Sequence, residues 1–276
     1  RRRLRRADPK RLTPAIAHRP SPIAHRMSTL LTLYHKEFKG FFLNFFGWIV
    51  LAVIACLQGF SLSTAMKALQ DRLLAEDLVY IVFQTPIFWF YFLFIFPLIT
   101  MRLFAEEQRT GTLETLLTAP VRTWQVVLSK YLAALTFFVI LWIPAFVHFQ
   151  LFAMLTDIPA PFSGGSLTGA FFIIFLMGAY FTAIGCFASS LTSSQIIAAI
   201  ITLGLLLIHH LIGYVTTFWG DSFAAAPLFR YISSQEHLRS FSKGLIDTRA
   251  VVYYLSMAVF VLIITHHAID YRRWKR

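Results

Sequence analysis

Few side chains in this sequence could do chemistry, and most of those sit within apolar stretches. His148, His209, His210, His266 and His267 fall in or beside such stretches. Ionisable groups inside a membrane span are functional candidates by default, and a histidine relay would serve a proton-coupled secondary carrier. The bland alternative is neutral, hydrogen-bonded imidazole, which is cheap to bury, and no Asp or Glu lies near the centre of an apolar stretch to complete a relay. His209 and His210 are kept as candidates for a translocation path, and His148 as a polar anchor near a span end. Cys56 and Cys186 lie in apolar runs, far from each other and from any His at ligand spacing, and read as small buried hydrophobes. Glu106-Glu107 begins an E-E-x-x-x-R spacing for intramembrane proteolysis, but the arginine position is Gly111. The patterns G-x-S-x-G, H-E-x-x-H and G-x-x-x-x-G-K-[ST] are absent. The sequence therefore predicts no catalytic residue, no metal ligand and no cofactor site on this chain.

The most informative segment is 102–125. Glu106, Glu107 and Arg109 form a charged patch, and Gly111 breaks the helix that carries them. Thr110 or Thr112 can cap a second short helix. Within it Leu113, Leu116 and Leu117 fall at i, i+3 and i+4, forming one apolar face, and Pro120 ends it. Arg122 and Trp124 suit a membrane interface, and Lys130, about a turn into the next apolar stretch, can snorkel out. A two-turn helix is not stable alone in water. Its leucine face needs cover, from its own bundle, from lipid, or from a groove on a soluble partner.

The elements that must hold this loop are written in the composition. The chain has 276 residues, 57% hydrophobic and 16% aromatic, with 29 Phe, 14% charged residues and mean hydropathy +0.65. Soluble domains have about 25% charged residues, so an ordinary soluble enzyme and a disordered chain are excluded. A bilayer core about 30 Å thick needs roughly 20 apolar residues per helix. Six segments qualify, at about 42–62, 79–101, 126–151, 167–189, 195–215 and 251–268, with kinks expected at Pro86, Pro97 and Pro144. The predicted fold is all-α and polytopic, with six transmembrane helices.

The net charge of +12 sits at the ends. Residues 1–26 carry nine Lys/Arg against one acid, and the tail from Asp270 carries four against one. The body is nearly neutral, so a nucleic-acid partner is not expected. With both termini inside, 19 Lys/Arg lie on the cytoplasmic side and 6 outside, in line with the positive-inside rule. Residues 1–26, with four prolines and no apolar run, are given no fold: either translation starts at Met27, or the arm is a basic segment touching anionic lipid. Residues 27–276 form the six-span domain. From Met27 to Gly40, Leu30, Leu33, Tyr34 and Phe38 recur opposite His35, Lys36 and Lys39, which predicts an amphipathic interfacial helix. The long loop at 216–250 predicts one or two short helices at the outer interface.

The run Glu106…Gly111-Thr112-Leu113-Glu114-x-Leu116-Leu117-x-x-Pro120-Val121…Lys130 resembles the signature of type-2 (export-class) ABC transporter permeases. The stretches 188–199 and 240–256 resemble the gliding-motility (Gld-type) branch. The resemblance covers most of 27–276. It implies that 112–119 is a coupling helix that seats in a separate ATP-binding subunit. Glu106, Gly111, Thr112, Leu113, Glu114, Leu116, Leu117 and Pro120 would be the coupling residues. ATP and Mg would be bound by that partner, and the assembly would hold a second permease copy or a paralogue in a bacterial inner membrane. Two alternatives share these motifs or part of them: a membrane anchor or force-coupling part of a gliding or secretion machinery, and the histidine-based carrier.

Overall fold

The structure, a computed structural model, describes residues 22–70, 77–118, 121–155, 162–215, 220 and 224–274. Their regular structure is helical throughout. The chain opens with α1 (Pro22–Leu43) and α2 (Phe45–Gln70), parted at Asn44, whose side-chain oxygen accepts from the Phe46 amide at 3.3 Å. Proline is tolerated at the first position of a helix, and Pro22 takes it in α1. Residues 22–26, left without a fold by the sequence reading, are thus helical, while 1–21 lie outside the described residues.

The second apolar segment is two helices, α3 (Leu78–Gln84) and α4 (Pro86–Thr100). Pro86 does not kink one helix. It begins a new one, capped by the Thr85 hydroxyl, which accepts from the Phe88 amide at 3.2 Å. Pro97 stays within α4. Two short helices follow, α5 (Ala105–Thr110) and α6 (Thr112–Thr118). The third segment again divides, into α7 (Thr123–Leu141) and α8 (Ile143–Leu155), with Pro144 just past the break at Trp142. Then come α9 (Gly164–Leu191) and α10 (Gln195–Ile212), joined by a turn at Thr192–Ser194, and finally α11 (Ala226–Ile232), α12 (Ser234–Ser242) and α13 (Thr248–Trp274).

Among the described residues, six stretches are long and apolar enough to cross a membrane: Phe45–Leu69, Pro86–Thr110, Thr123–Leu155, Gly164–Leu191, Gln195–Ile212 and Thr248–Tyr271. The predicted six spans are these, each shifted by a few residues. Helix α9 is central, packing against α4, α7, α10, α12 and α13. The aromatic second segment supplies much of the core. Phe88, Phe92 and Phe96 are fully buried, with centroids 5.2 Å apart from ring to ring, and Phe96 meets Phe138 and Phe181 at 5.2 and 5.3 Å. Phe90 and Phe94 on the other face are exposed, as lipid contacts would be.

Helix α1 keeps its amphipathic pattern but does not lie free. It packs against α7, with Tyr34 donating to Thr136 at 3.1 Å and Phe41 stacked on Phe137 at 4.5 Å. At the start of α7, Thr123 donates to Asp270 near the end of α13 at 3.0 Å. Helix α1 and the end of α13 therefore meet the same end of the bundle, the end that carries α5 and α6.

Candidate functional site

The α5–α6 element is held by three sets of contacts. The first is at the start of α5. Phe104, its N-cap residue, makes no side-chain cap, so the first amides need partners from elsewhere. Ser189 of α9 supplies them: its hydroxyl oxygen accepts from the Phe104 and Ala105 amides at 3.0 and 3.1 Å and its proton goes to the Met101 carbonyl at 3.2 Å. One turn later Gln108 donates to the Ser190 carbonyl at 3.0 Å.

The second set is ionic. Lys130 does not snorkel to the interface. Its side chain is 2% exposed, and its ammonium lies 2.9 Å from Glu37 of α1 and 2.9 Å from Glu107 of α5. Two carboxylates within reach make the buried charge tolerable, and they are closer than the water that snorkelling would seek. Lys36 stands 3.9 Å from both carboxylates.

The third set is apolar. Helix α5 ends where Gly111 takes φ +70°, a left-handed turn that glycine enters without strain, and α6 starts at once. Leu113 is 5% exposed and belongs to the bundle's own core, and Leu116 is half-buried against it. Here the geometry departs from the expectation that Leu113 and Leu116 fill a partner's groove. The cheapest cover for a short leucine face is the nearest apolar surface, and the bundle provides it. The outward surface is instead polar: Glu106, Arg109, Thr110, Thr112, Glu114, Thr115 and Thr118 are exposed. The Thr110 and Thr112 hydroxyls meet each other at 2.9 Å and turn back towards the carbonyls of α5. Leu117 lies in α6, but its side chain, and Pro120 altogether, lie outside the described residues.

With this geometry the chain can be set against known proteins. A family model described as ABC-2 family transporter protein matches residues 31–268. The chain belongs to the ABC-2 transporter family. It is a multi-pass membrane permease subunit of an ABC transporter, and permeases of this family work with an ATP-binding subunit. No curated protein matches the chain.

His209 and His210 lie at the opposite end of this permease, where they hold a loop helix. His209 Nε2 is 2.8 Å from the Ser234 hydroxyl, which also accepts from Tyr254 at 3.2 Å. His237 Nδ1 meets the Tyr254 hydroxyl at 3.1 Å. Burial pushes His237 down to about 4, against a smaller upward pull from Asp247. His210 packs on Trp89 at 4.5 Å and reaches Gln235 at 3.5 Å. The predicted interfacial helices of the 216–250 loop are α11 and α12, but α12 dips into the bundle, with Leu238 and Phe241 fully buried. Gly244, at φ +77°, ends α12 by donating its amide to Phe241 at 2.9 Å. His148 packs beside Gly59. Among the described residues no cluster of His, Cys, Asp or Glu could hold a metal ion.

Sequence reasoning missed two partners of the loop. Glu37 and Ser189 lie far from it in the chain, and nothing local marks them. Lys130 was visible, but which acids would meet it depends on how α1 crosses α7.

Proposed function

We propose that this permease is the membrane half of an ATP-driven exporter, energised through α5 and α6 by a separate ATP-binding subunit that binds ATP and Mg. The observation that carries the reading is the α5–Gly111–α6 element. It is a short, anchored helical corner whose leucine face is held by the bundle and whose polar face is exposed. In this reading Leu113 and Leu116 fix α6 to the permease. Glu106, Glu114 and Thr115 contact the ATP-binding subunit, while Gly111 and Pro120 set the helix ends. A rigid corner passes the closing motion of the ATPases into α4 and α7, on either side of it. The positive-inside count supports placing this end, with both termini, in the bacterial cytoplasm. A second copy or a paralogue completes the transporter, since two ATPase subunits need two corners. The likeness of 188–199 and 240–256 to gliding-motility permeases supports export that serves a surface machinery.

The test is affinity purification of the tagged chain from its native cells, with mass spectrometry and ATP hydrolysis as readouts. A separate ATP-binding protein is expected with the parent chain and is expected to be lost from a Glu114→Lys, Thr115→Arg variant that still purifies as a folded chain. Absence of any ATP-binding protein from the parent preparation refutes the reading.

A further inference from the structure

Lys130, Glu37 and Glu107 come from three elements, α7, α1 and α5, and the loop alone does not require them. With Lys36 they form two ammonium groups and two carboxylates, a balanced set, with one ammonium almost wholly buried. A buried ion pair adds little stability over an apolar replacement, yet losing one partner is costly, because the remaining charge is stranded. Such a set is either made or broken, which is the behaviour of a two-state element rather than of a soft spring.

Two details indicate what the broken state uses. The second Glu107 oxygen, Oε2, is buried without a hydrogen-bond partner, and so is Nε of Arg102. Both residues line one cavity of about 310 Å³ between α1 and the α4–α5 turn, together with Lys36, Glu37 and Lys130. Arg102 rests meanwhile on the Phe46 ring, 4.4 Å from its centroid. A buried donor and a buried acceptor of opposite charge, both unmade, call for an explanation. Their residues line the same cavity, and the two groups are complementary in charge.

We infer that Lys130 is a positioning residue that locks α5 to α1 through Glu107 and Glu37, and that Glu107 exchanges Lys130 for Arg102 when α5 is displaced. Resting on the function proposed above, this makes α1 a second lever of the coupling corner. A push on α5–α6 either carries α1 with it or opens the lock and frees α1 from α7. Arg102 is the catch for the opened state, five residues before Glu107 on the far side of the α4–α5 turn.

The experiment is hydrogen exchange with mass spectrometry on the full chain in phospholipid nanodiscs, followed by the same measurement on the complex with its ATP-binding subunit. Glu37→Gln lies on α1, yet it is expected to speed exchange in 105–118 by about tenfold or more. Lys130→Met should speed both 29–43 and 105–118. Lys39→Gln, on the exposed face of α1, should change neither. In the complex, ATP should speed exchange in 29–43, and Arg102→Met should remove that response while leaving the ATP-free exchange of 105–118 within about twofold.

If the effect of Glu37→Gln stays within α1, or if Lys130→Met leaves either segment at the parent rate, the lock is refuted. Should Lys130→Met fail to fold, the near-isosteric Glu37→Gln decides alone. An unchanged ATP response in Arg102→Met refutes the exchange of partners. The Glu37→Gln and Lys130→Met readings are made on the isolated chain and do not need the ATP-binding subunit. Failure to find that subunit therefore counts against the proposed function and not against the lock.

Discussion

Leu113 separates two ways in which the coupling corner can work. If its side chain holds α6 to the bundle, truncation loosens the corner; if it fills a partner's groove, truncation leaves the isolated chain untouched. The side chain is 5% exposed, so nearly all of it is at stake in Leu113→Ala. Core Leu→Ala changes cost about 2–5 kcal/mol, the loss of transfer free energy plus a cavity term. Helix α6 is a two-turn element at an edge of the core and relaxes more easily than a central helix, so the lower half applies, about 2–3 kcal/mol. This corner opens locally, and 1.4 kcal/mol is a factor of ten in an opening equilibrium, so exchange in 105–118 should rise roughly 30- to 150-fold.

The assay is hydrogen exchange on the purified chain alone, beside a Thr115→Ala control at an exposed position that should stay within about twofold. The refuting result is specific. If Leu113→Ala leaves exchange in 105–118 unchanged but abolishes capture of the ATP-binding subunit, Leu113 faces the partner and the inward orientation of α6 is wrong.

Other perturbations address the supports of the corner and of the opposite end. Ser189→Ala strands the Phe104 and Ala105 amides, at about 1–3 kcal/mol for unsatisfied buried groups, and should speed exchange at 104–108 without altering α12. Gly185→Val places a Cβ 2.2 Å from the buried Thr100 hydroxyl and should lower the melting temperature by several degrees, for a cost of about 3 kcal/mol; Gly204→Ala, with nothing within 4 Å of its new Cβ, should not. His237 is held neutral by burial, down to about 4 from 6.5. The folded form then binds fewer protons than the undocked form between those values. Docking of α12 is thus at full strength above about pH 6.5 and weakens as pH falls towards 4. Protection factors in 234–242, corrected for the pH dependence of intrinsic exchange, should fall between pH 7 and pH 5 in the parent, and much less in His237→Gln.

The six spans were legible because bilayer thickness imposes a length and composition that no packing detail overrides. The breaks at Thr85 and Trp142 were only half legible. Proline marks the place, but whether the helix bends or restarts depends on a capping group, and at Pro86 the Thr85 hydroxyl makes restarting favourable. The coupling corner was legible as a pattern, since Gly111 and the leucine spacing are local. Which way the leucines face was not, because a two-turn amphipathic helix can turn its apolar side to any apolar surface. The same holds for Lys130: a lysine one turn into a span can reach water or an acid, and only the crossing of α1 over α7 brings Glu37 within 2.9 Å.

The coupling corner and the histidine network are joined by different chemistry, and that difference argues against the histidine carrier. The corner includes charged links between helices: Lys130 with two carboxylates, and Asp270 with Thr123. Charged links can be made and broken at an aqueous surface, where a partner subunit or water can take over a released group. In the histidine network the links are neutral: His209 to Ser234, Ser234 to Tyr254, Tyr254 to His237. A proton relay needs a group that gains and loses charge within this chain of contacts, and burial holds His237 in its neutral form. Its nearest charged influence, Asp247, sits outside the apolar helices in the turn before α13. The network is therefore better built to dock α12 than to carry protons. Glutamine at both 209 and 210 keeps hydrogen-bonding capacity without a titratable ring, so it should spare ATP-dependent transport while slightly loosening α12. Loss of transport in that double variant, with α12 exchange unchanged, would return the histidines to the translocation path.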